Sequence, residues 1–205
     1  MRRKHIILIG ASIGKAWNLV SLSNRIDNHN FIIEYIHGGG FNKTEKIRES
    51  ISRKENNPDA VIIKQCAAYF PGDSEKMMSL MEQWVQECKN KNVIPIPATV
   101  IPVTRLHSLK KIIIDIIKSR RLLHHGNPFK HNRNKAILEY NDWLKDYCCQ
   151  NGLIYLDLEE ALHYSKKNRF LREDFSRIDG LHLNNKAYQV LDPCLIHSLD
   201  RIKWE

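Results

Sequence analysis

The sequence lacks any apolar run long enough to cross a membrane. A transmembrane helix needs about 20 consecutive apolar residues, whereas the run that begins at Ile6 stops at Gly10 after four. The same short run argues against a secretory signal peptide, which needs roughly 7–15 apolar residues and a small-residue cleavage site. We therefore expect a cytoplasmic protein whose mature chain begins at Met1.

Paired cysteines are also absent. Five cysteines are scattered through 205 residues, and none of them forms a C-x-x-C pair. Neither a zinc site nor a disulfide framework is therefore indicated, and we expect free, buried thiols. The five are Cys66, Cys88, Cys148, Cys149 and Cys194.

Acidic residues are too few to balance the basic ones. The chain has 32 Lys and Arg against 23 Asp and Glu, a formal net charge of +9, and much of the excess lies within residues 105–135. That stretch would attract phosphate non-specifically, but it has no common nucleic-acid motif and no aromatic residues interleaved as a stacking platform. We interpret it as a solvated face or a rim that attracts an anionic substrate. With Gly126, Asn127 and Pro128 as breakers, a lid and a plain surface insertion both stay open.

Five short runs rich in β-branched residues alternate with amphipathic segments. Most of the runs are apolar at nearly every position, which is typical of strands buried on both faces of a sheet. The alternation predicts one α/β domain over residues 1–205, with a five-stranded parallel sheet between helices in the flavodoxin-like order 2-1-3-4-5. The runs cover residues 5–9, 31–36, 60–64, 93–101 and 153–157.

The segments between these runs carry apolar residues at helical spacing, which predicts amphipathic helices packed on the sheet. Asp73-Ser74-Glu75 suits a helix start, because acidic groups are favourable at the positive end of a helix dipole. The apolar positions are Ile13, Ala16, Trp17 and Val20; Met77, Met81, Trp84, Val85 and Cys88; and Leu144, Tyr147 and Cys148.

The turn after the first predicted strand reads GASIG at residues 10–14. It lies where such sheets bind ligands, beyond the carboxyl ends of the strands at the topological switch point. A P-loop is excluded, because it needs four residues between its glycines and a hydroxyl residue where Ala16 stands. The letters match the G-x-S-x-G nucleophile elbow of α/β-hydrolases, and HGGG at residues 37–40 resembles their oxyanion loop. That fold places several strands and the HGGG loop before the serine, so the order here is wrong.

A third interpretation makes Ser12 a nucleophile with a distant base. A serine hydroxyl is a poor nucleophile until a base takes its proton, and an imidazole held in one tautomer by a carboxylate is such a base. Asp179 and His182 lie in one glycine-containing turn, SRIDGLHLNNKAY, and can supply both groups. Simpler roles stay open for each residue: a helix N-cap for Ser12, a turn cap for Asp179, and one histidine among ten for His182.

These segments resemble the sequence blocks of the SGNH hydrolases, also called GDSL esterases and lipases, over nearly the whole chain. LIGASI is similar to their first block and places the nucleophile at Ser12. HGGGFNKT is similar to the second block and places the oxyanion glycine at Gly39, and PDAVIIKQCAAY resembles the third. DGLHLNNKAY is the most specific match, to the block that supplies Asp179 and His182. The resemblance implies the SGNH hydrolase fold and a Ser-His-Asp triad.

Three positions depart from the pattern of that family. Ala11 replaces the aspartate that usually precedes the serine, and Cys66 stands where the third block has a glycine. Ala68 stands where that block has an asparagine that donates to the oxyanion. Loss of one oxyanion donor can cost about 2.7–4 kcal/mol of transition-state stabilisation. The backbone amides of Ser12 and Gly39 remain candidates for the oxyanion hole, and Gln65 is the nearest side-chain amide that could replace the missing donor.

The resemblance implies a serine ester hydrolase that works through an acyl-enzyme without a metal or cofactor. We expect a small-molecule or carbohydrate ester as its substrate, for example an O-acetyl group on a sugar, and no membrane partner. One alternative is a catalytically weak or inactive binding module of the same fold that recognises glycans or anionic ligands. Another is a nucleic-acid or anionic-polymer-binding protein that uses residues 105–135, which the missing motifs do not favour.

Overall fold

Four parallel strands form the central sheet in the order β2-β1-β3-β4: β1 (Lys4–Gly10), β2 (Phe31–His37), β3 (Ala60–Lys64) and β4 (Ile94–Ala98). This is the order expected from the sequence, with β1 inside the sheet. The carboxyl end of β1 therefore lies at the switch point between β1 and β3, where ligands bind in sheets of this kind. The computed structural model describes residues 2–26, 30–53, 57–110, 113 and 132–204.

The prediction of a fifth strand at residues 153–157 is wrong. Only Leu156 contacts the sheet through its backbone, as an isolated parallel bridge to Ala98. The predicted fourth strand, residues 93–101, is also shorter than expected, because β4 ends at Ala98. The segment at 153–157 still occupies the fifth position beside β4, so the strand order of the prediction is kept.

Two prolines in β4 explain why the fifth strand is reduced to one bridge. The N–H of Ile94 donates to the carbonyl of Asp59 at 3.0 Å on the β3 side, so the alternate residues Pro95 and Pro97 turn their backbone toward the fifth position. Proline has no N–H to donate to a ladder. The Pro97 carbonyl accepts from the N–H of Leu156 at 2.9 Å, but no N–H is available to extend the pairing toward the start of β4.

Helices cover both faces of the sheet, as the alternation predicts. Their bounds are α1 (Ser12–Trp17), α2 (Thr44–Ile51), α3 (Ser74–Lys89), α4 (Arg133–Gln150), α5 (Leu158–Leu162) and α6 (Asn185–Asp200), and residues 105–110 are also helical. Helices α1, α5 and α6 pack with Ile6 and Leu8 on one face of β1. Helices α2, α3 and α4 pack with Ile7 and Ile9 on the other face, so the domain has three layers.

Helix α3 forms as the sequence pattern predicts. All five apolar positions of its predicted face are buried, and the Asp73 side chain caps the helix by accepting from the Lys76 N–H at 2.9 Å. The capping bond satisfies one of the N–H groups that a helix start leaves unpaired. The five buried residues are Met77, Met81, Trp84, Val85 and Cys88.

Helix α1 is shorter than its apolar spacing predicts. It ends at Trp17 because Asn18 adopts a left-handed conformation with φ of 50°, which breaks the helical period. Trp17 and Leu19 are buried, whereas Ala16 and Val20 are exposed. The expected core positions at Ala16 and Val20 are therefore wrong.

A short antiparallel hairpin, β5 (His163–Ser165) with β6 (Asn168–Leu171), follows α5. It was not predicted, because its strands are only three and four residues long and its sequence is largely polar. Arg169 secures it through ion pairs with the fully buried Glu159 and with Asp142, the latter at 2.6 Å.

Most of the predicted lid or insertion at residues 105–135 lies outside the described residues, which include only 105–110, 113 and 132–135 of that range. Among the residues that are described, no helix is both long and apolar enough to cross a membrane.

A buried carboxylate ties the start of the chain to the last helix. Asp192 in α6 accepts from the indole N–H of Trp17 at 2.7 Å, and it pairs with Arg25 through bonds of 2.7 and 3.0 Å. Only 5% of the Asp192 side chain is exposed. This contact fixes α1, and with it Ser12, against the helix that follows His182.

Replacement of Asp192 by alanine should destabilise the fold. The change leaves Nε of Arg25 and the indole N–H of Trp17 without their acceptor, although the Nη groups of Arg25 keep the carbonyls of Asn18 and Trp17. Breaking a buried ion pair on one side costs about 3 kcal/mol. Urea unfolding followed by circular dichroism measures the loss. Asp200→Ala, at the exposed end of the same helix, serves as the control, and equal stability of the two variants would contradict the anchoring role.

Candidate active site

Ser12 lies at the carboxyl end of β1, as the first residue of α1, and its side chain is exposed. The hydroxyl of Tyr35 lies within hydrogen-bond distance of two backbone carbonyls in the turn before Ser12, that of Gly10 at 3.0 Å and that of Ala11 at 3.1 Å. The N–H of Gly38 also donates to the Gly10 carbonyl at 2.8 Å. The turn that presents the serine is therefore held by β2 and by the residues that follow it.

The structure brings Ser12, His182 and Asp179 together in one chain of hydrogen bonds. The Ser12 Oγ lies 3.2 Å from Nε2 of His182, and Nδ1 of His182 lies 2.6 Å from Oδ2 of Asp179. A carboxylate accepts only, so Nδ1 carries the proton and Nε2 presents a lone pair to the serine hydroxyl. This is the tautomer that lets the imidazole act as a base toward Ser12.

The turn that carries Asp179 and His182 depends on Gly180. Its φ is +68°, a conformation that residues with a side chain rarely adopt. A Cβ at this position would also lie 2.4 Å from Oγ1 of Thr104 and 2.8 Å from Cβ of His107. Glycine is therefore required both by the backbone conformation and by the close approach of residues 104–107.

Asp179 is ionised across the physiological range. Desolvation raises its pKa, but hydrogen bonds from the backbone N–H of His182, the His182 ring and the backbone N–H of Leu181 outweigh it and hold the pKa at about 2. Both N–H groups donate to Oδ1 at 2.9 Å, which leaves Oδ2 for the imidazole. The carboxylate is thus fixed in position as well as in charge.

This depressed pKa predicts a pH-dependent contribution to stability. The pKa of Asp179 is about 2 in the folded state and 3.8 in an ordinary carboxyl group, so the contribution is complete above about pH 4 and is lost as pH falls toward 2. Between about pH 4 and pH 2, the free energy of unfolding should fall by about 1 kcal/mol less in Asp179→Asn than in wild type. This value is reduced for solvent screening, because 48% of the side chain is exposed. Urea unfolding of both proteins at several acidic pH values measures it, and parallel stability curves would contradict it.

A second histidine supports the turn from behind. The guanidinium of Arg133 donates to Nε2 of His107 at 3.0 Å, so Nδ1 of His107 carries its proton and donates to the backbone carbonyl of Asp179 at 2.7 Å. Arg133 is itself held by the carbonyl of Phe70 at 3.0 Å. Sequence reasoning missed both residues, because they lie in the basic stretch interpreted as a surface.

The residues expected around an oxyanion lie at the same edge of the sheet. Gly39 and Ala68 are exposed, and the hydroxyl of Tyr69 donates to the Gly39 carbonyl. Tyr69 thereby joins the segment after β2 to the segment after β3. Ala68 offers no side-chain donor, as its sequence position predicts.

Gln65 does not suit the donor role considered for it. The side chain is fully buried, its Oε1 accepts from Nζ of Lys43 at 2.7 Å, and its Nε2 donates to the carbonyl of Phe41 at 3.2 Å. An oxyanion donor must reach a substrate that arrives from solvent. Gln65 instead belongs to a buried network beneath residues 38–41.

An open cleft lies along the segment after β2, in which the Gly38 N–H donates to the carbonyl of Gly10, and it is lined by polar side chains and backbone. Its walls are His37, Gly38, Gly39, Gly40, Asn42, Glu45 and Lys46.

The part of the chain that the structure describes holds no group of three His, Cys, Asp or Glu side chains arranged around a metal position. The five cysteines are free; Cys88 and Cys148 are buried, whereas Cys149 is exposed.

No protein-family model matches the chain, and no curated protein sequence matches it. Solved structures do match over nearly its whole length. An acylhydrolase from Bacteroides fragilis is 16% identical with a TM-score of 0.70, over 98% of this chain and 90% of the other. A GDSL-like lipase from Bacteroides thetaiotaomicron is 14% identical with a TM-score of 0.68, over 97% and 88%. An acetylxylan esterase from Geobacillus stearothermophilus is 13% identical with a TM-score of 0.63, over 100% and 97%.

Proposed function

We propose that this chain, which has the fold of the SGNH or GDSL hydrolases, is a serine ester hydrolase with Ser12, His182 and Asp179 as its triad. The hydrogen-bonded chain from Ser12 Oγ through the His182 ring to the Asp179 carboxylate carries the proposal. The contact between Ser12 Oγ and Nε2 of His182, from residues 170 positions apart in sequence, supports this assignment because an activated serine needs a base within hydrogen-bond reach.

In the first half of the reaction, Ser12 Oγ attacks the ester carbonyl while Nε2 of His182 takes the hydroxyl proton. The carbonyl oxygen becomes an oxyanion, and the Asp179 carboxylate stabilises the imidazolium without taking its proton. The carbon–oxygen bond to the alcohol then breaks, and His182 returns the proton to the leaving alcohol. The product of this half-reaction is an ester between the acyl group and Ser12.

In the second half, water replaces the alcohol. Nε2 of His182 takes a proton from the water as it attacks the acyl carbon, and a second oxyanion forms. Collapse of this intermediate releases the acid, and the proton returns to Ser12 Oγ. The sequence of steps uses the chain's own residues and water alone.

The polar cleft along residues 37–46, whose Gly38 N–H donates to Gly10 in the turn before Ser12, supports a polar ester as the substrate. Its side-chain walls are His37, Asn42, Glu45 and Lys46, which can donate to and accept from hydroxyl groups, and no apolar residue type contributes a side chain to hold a long acyl chain. The acetylxylan esterase among the structural neighbours acts, by its name, on an acetylated carbohydrate. We therefore favour a small acyl group on a carbohydrate or a similar polar alcohol.

A fluorophosphonate probe and an ester panel test the proposal together. We expect the probe to label wild-type protein and not the Ser12→Ala variant, because the probe reacts only with an activated serine. Short-chain nitrophenyl esters and acetylated sugars then define the acyl group and the alcohol. Absence of both labelling and hydrolysis in folded protein would refute the hydrolase assignment.

A second candidate is a binding module of the same fold that has lost turnover. The observation that favours it is the missing oxyanion donor, since Ala68 has none and Gln65 is buried. Such a protein would bind acetylated sugars in a titration but would neither react with the fluorophosphonate probe nor release acetate.

A further inference from the structure

One side chain of the cleft, His37, has a ring nitrogen without a partner. His37 is the last residue of β2, its side chain is exposed, and it forms one wall of the cleft. Its Nδ1 lies 3.0 Å from the hydroxyl of Tyr35, whereas its Nε2 has no hydrogen-bond partner among the residues that the structure describes. The proposed triad does not use this imidazole.

The contacts of Tyr35 decide which nitrogen of His37 carries the proton. The Tyr35 hydroxyl lies 3.0 Å from the carbonyl oxygen of Gly10 and 3.1 Å from that of Ala11. Because carbonyl oxygens only accept, the single hydroxyl proton points toward them; otherwise oxygen lone pairs would face each other at both contacts. The Tyr35 oxygen therefore accepts from Nδ1 of His37, and Nε2 of the neutral ring keeps its lone pair.

This lone pair lies close to two parts of the candidate site. A Cβ at Gly39 would lie 2.5 Å from Nε2 of His37 and 3.1 Å from its Cε1, so the imidazole fills the space that a side chain at position 39 would need. Through Tyr35 the same ring is joined to the carbonyls of residues 10 and 11, immediately before Ser12. The imidazole is therefore two hydrogen bonds from the turn that presents the serine, and it lies against the candidate oxyanion glycine.

The cleft beside His37 is larger than a small acyl group requires. Its volume is about 400 Å³, within the range of about 300–1,000 Å³ that small-molecule sites span. The other side-chain walls are Asn42, Glu45 and Lys46. Oδ1 of Asn42 already accepts from the N–H and the hydroxyl of Thr44, which leaves the Asn42 NH₂ group to donate. These donors and acceptors suit the alcohol part of an ester better than its acyl group.

We propose that Nε2 of His37 accepts a hydrogen bond from a hydroxyl group on the alcohol part of the substrate, next to the ester oxygen. The inference rests on the proposed function, because it concerns the substrate of the same reaction. It makes His37 a specificity-determining residue that favours esters of polyols and sugars with a free hydroxyl beside the acyl group. An ester without that hydroxyl would displace water from Nε2 and would not replace its hydrogen bond.

Two acetate esters of equal size test the contact. 2-Hydroxyethyl acetate and propyl acetate differ only in a terminal hydroxyl in place of a methyl group, and released acetate measures the hydrolysis of both. The selectivity is the ratio of their kcat/KM values, divided by the ratio of their rates of hydrolysis by hydroxide. We expect wild type to favour 2-hydroxyethyl acetate by about threefold to tenfold, the contribution of one neutral hydrogen bond.

Two variants of His37 separate the two ends of the imidazole. His37→Asn places an amide NH₂ near the position of Nδ1, so it can keep the bond to Tyr35, but it has no group at the position of Nε2. His37→Gln reaches the position of Nε2 with its amide oxygen and loses the donor to Tyr35. We expect the selectivity to fall by about threefold to tenfold in His37→Asn and to be largely kept in His37→Gln. A merely structural role of the ring would lower both rates and leave their ratio unchanged.

His197→Asn is the matched control, because it makes the same change at an exposed histidine in α6, and it should keep the wild-type selectivity. Methyl glycolate and methyl propionate form a second pair of equal size, in which the hydroxyl lies on the acyl side. Selectivity that depends on His37 in this pair alone would overturn the assignment of the hydroxyl to the alcohol.

The outcomes separate the two proposals. If wild-type protein neither reacts with the fluorophosphonate probe nor hydrolyses any ester, the proposed function fails. If it reacts but hydrolyses neither acetate ester, or if wild type, His37→Asn and His37→Gln share one selectivity, the contact with His37 is refuted while the hydrolase assignment stands. A fall in His37→Gln that equals or exceeds the fall in His37→Asn refutes the contact as well. If His37→Asn does not fold, a wild-type selectivity above about three supports the inference and a smaller one refutes it.

Discussion

Ser12→Ala should reduce ester hydrolysis by a factor of about 10⁴ or more, the largest effect we expect from any single substitution. Removing the nucleophile of a triad leaves only the residual acceleration that binding and oxyanion stabilisation supply. The substitution removes one exposed oxygen atom at the start of α1, so the fold should be retained. Initial rates with nitrophenyl acetate, and circular dichroism at equal concentration, measure the two effects.

Ser52→Ala is the matched control, because Ser52 is an exposed serine that follows α2. It should keep wild-type activity and fluorophosphonate labelling. Hydrolysis that survives Ser12→Ala, after repurification that excludes a contaminating esterase, would contradict the assignment of the nucleophile.

Asp179→Asn should lower kcat by about 10³–10⁴-fold. The new side chain can still accept from the N–H groups of Leu181 and His182 through its oxygen, since both donate to Oδ1. Its NH₂ group then faces Nδ1 of His182, which must become the acceptor. The proton moves to Nε2, and the imidazole no longer has a lone pair for the Ser12 hydroxyl.

Asp174→Asn controls for the loss of one negative charge close in sequence, because Asp174 forms exposed ion pairs with Arg172 and Lys186. We expect nearly wild-type kcat for it. The pH profile adds a further check, because Asp179→Asn should depress activity at every pH, whereas a change confined to local stability should be visible mainly in unfolding experiments. Equal activity of the two variants would remove Asp179 from the triad.

Much of the sheet could be predicted because its strands are nearly all apolar. The run at 60–64 coincides with β3, and those at 5–9 and 31–36 differ from β1 and β2 by one residue at one or both ends. The failure of residues 153–157 to form a fifth strand could not be predicted from their hydrophobicity, because its cause lies in the neighbouring strand β4. Pro95 and Pro97 withhold the N–H groups that the run at 153–157 would need.

The candidate site, like the sheet, has features that local sequence predicts and others that depend on tertiary packing. Spacing within one turn placed Asp179 and His182 together, and the motif around Ser12 placed it at the end of a strand. Burial of Lys43 and Lys64 depends on how α2, β3 and residues 38–41 pack, and no local pattern marks a lysine as buried. Sequence reasoning therefore found the residues of the proposed triad and missed the buried lysines near them.

The long separation between Ser12 and His182, the base of the proposed triad, has a consequence for biosynthesis. The serine and its strand leave the ribosome before His182 and the anchoring carboxylate of Asp192, which follow about 170 and 180 residues later. Domains fold cooperatively, and contacts of such separation form only after a large loop closes. If Ser12 is the proposed nucleophile, the nascent chain thus carries an unactivated serine until α6 docks on α1. Reaction with a fluorophosphonate probe would report the completion of folding, and arrested nascent chains that stop before Asp179 should not be labelled.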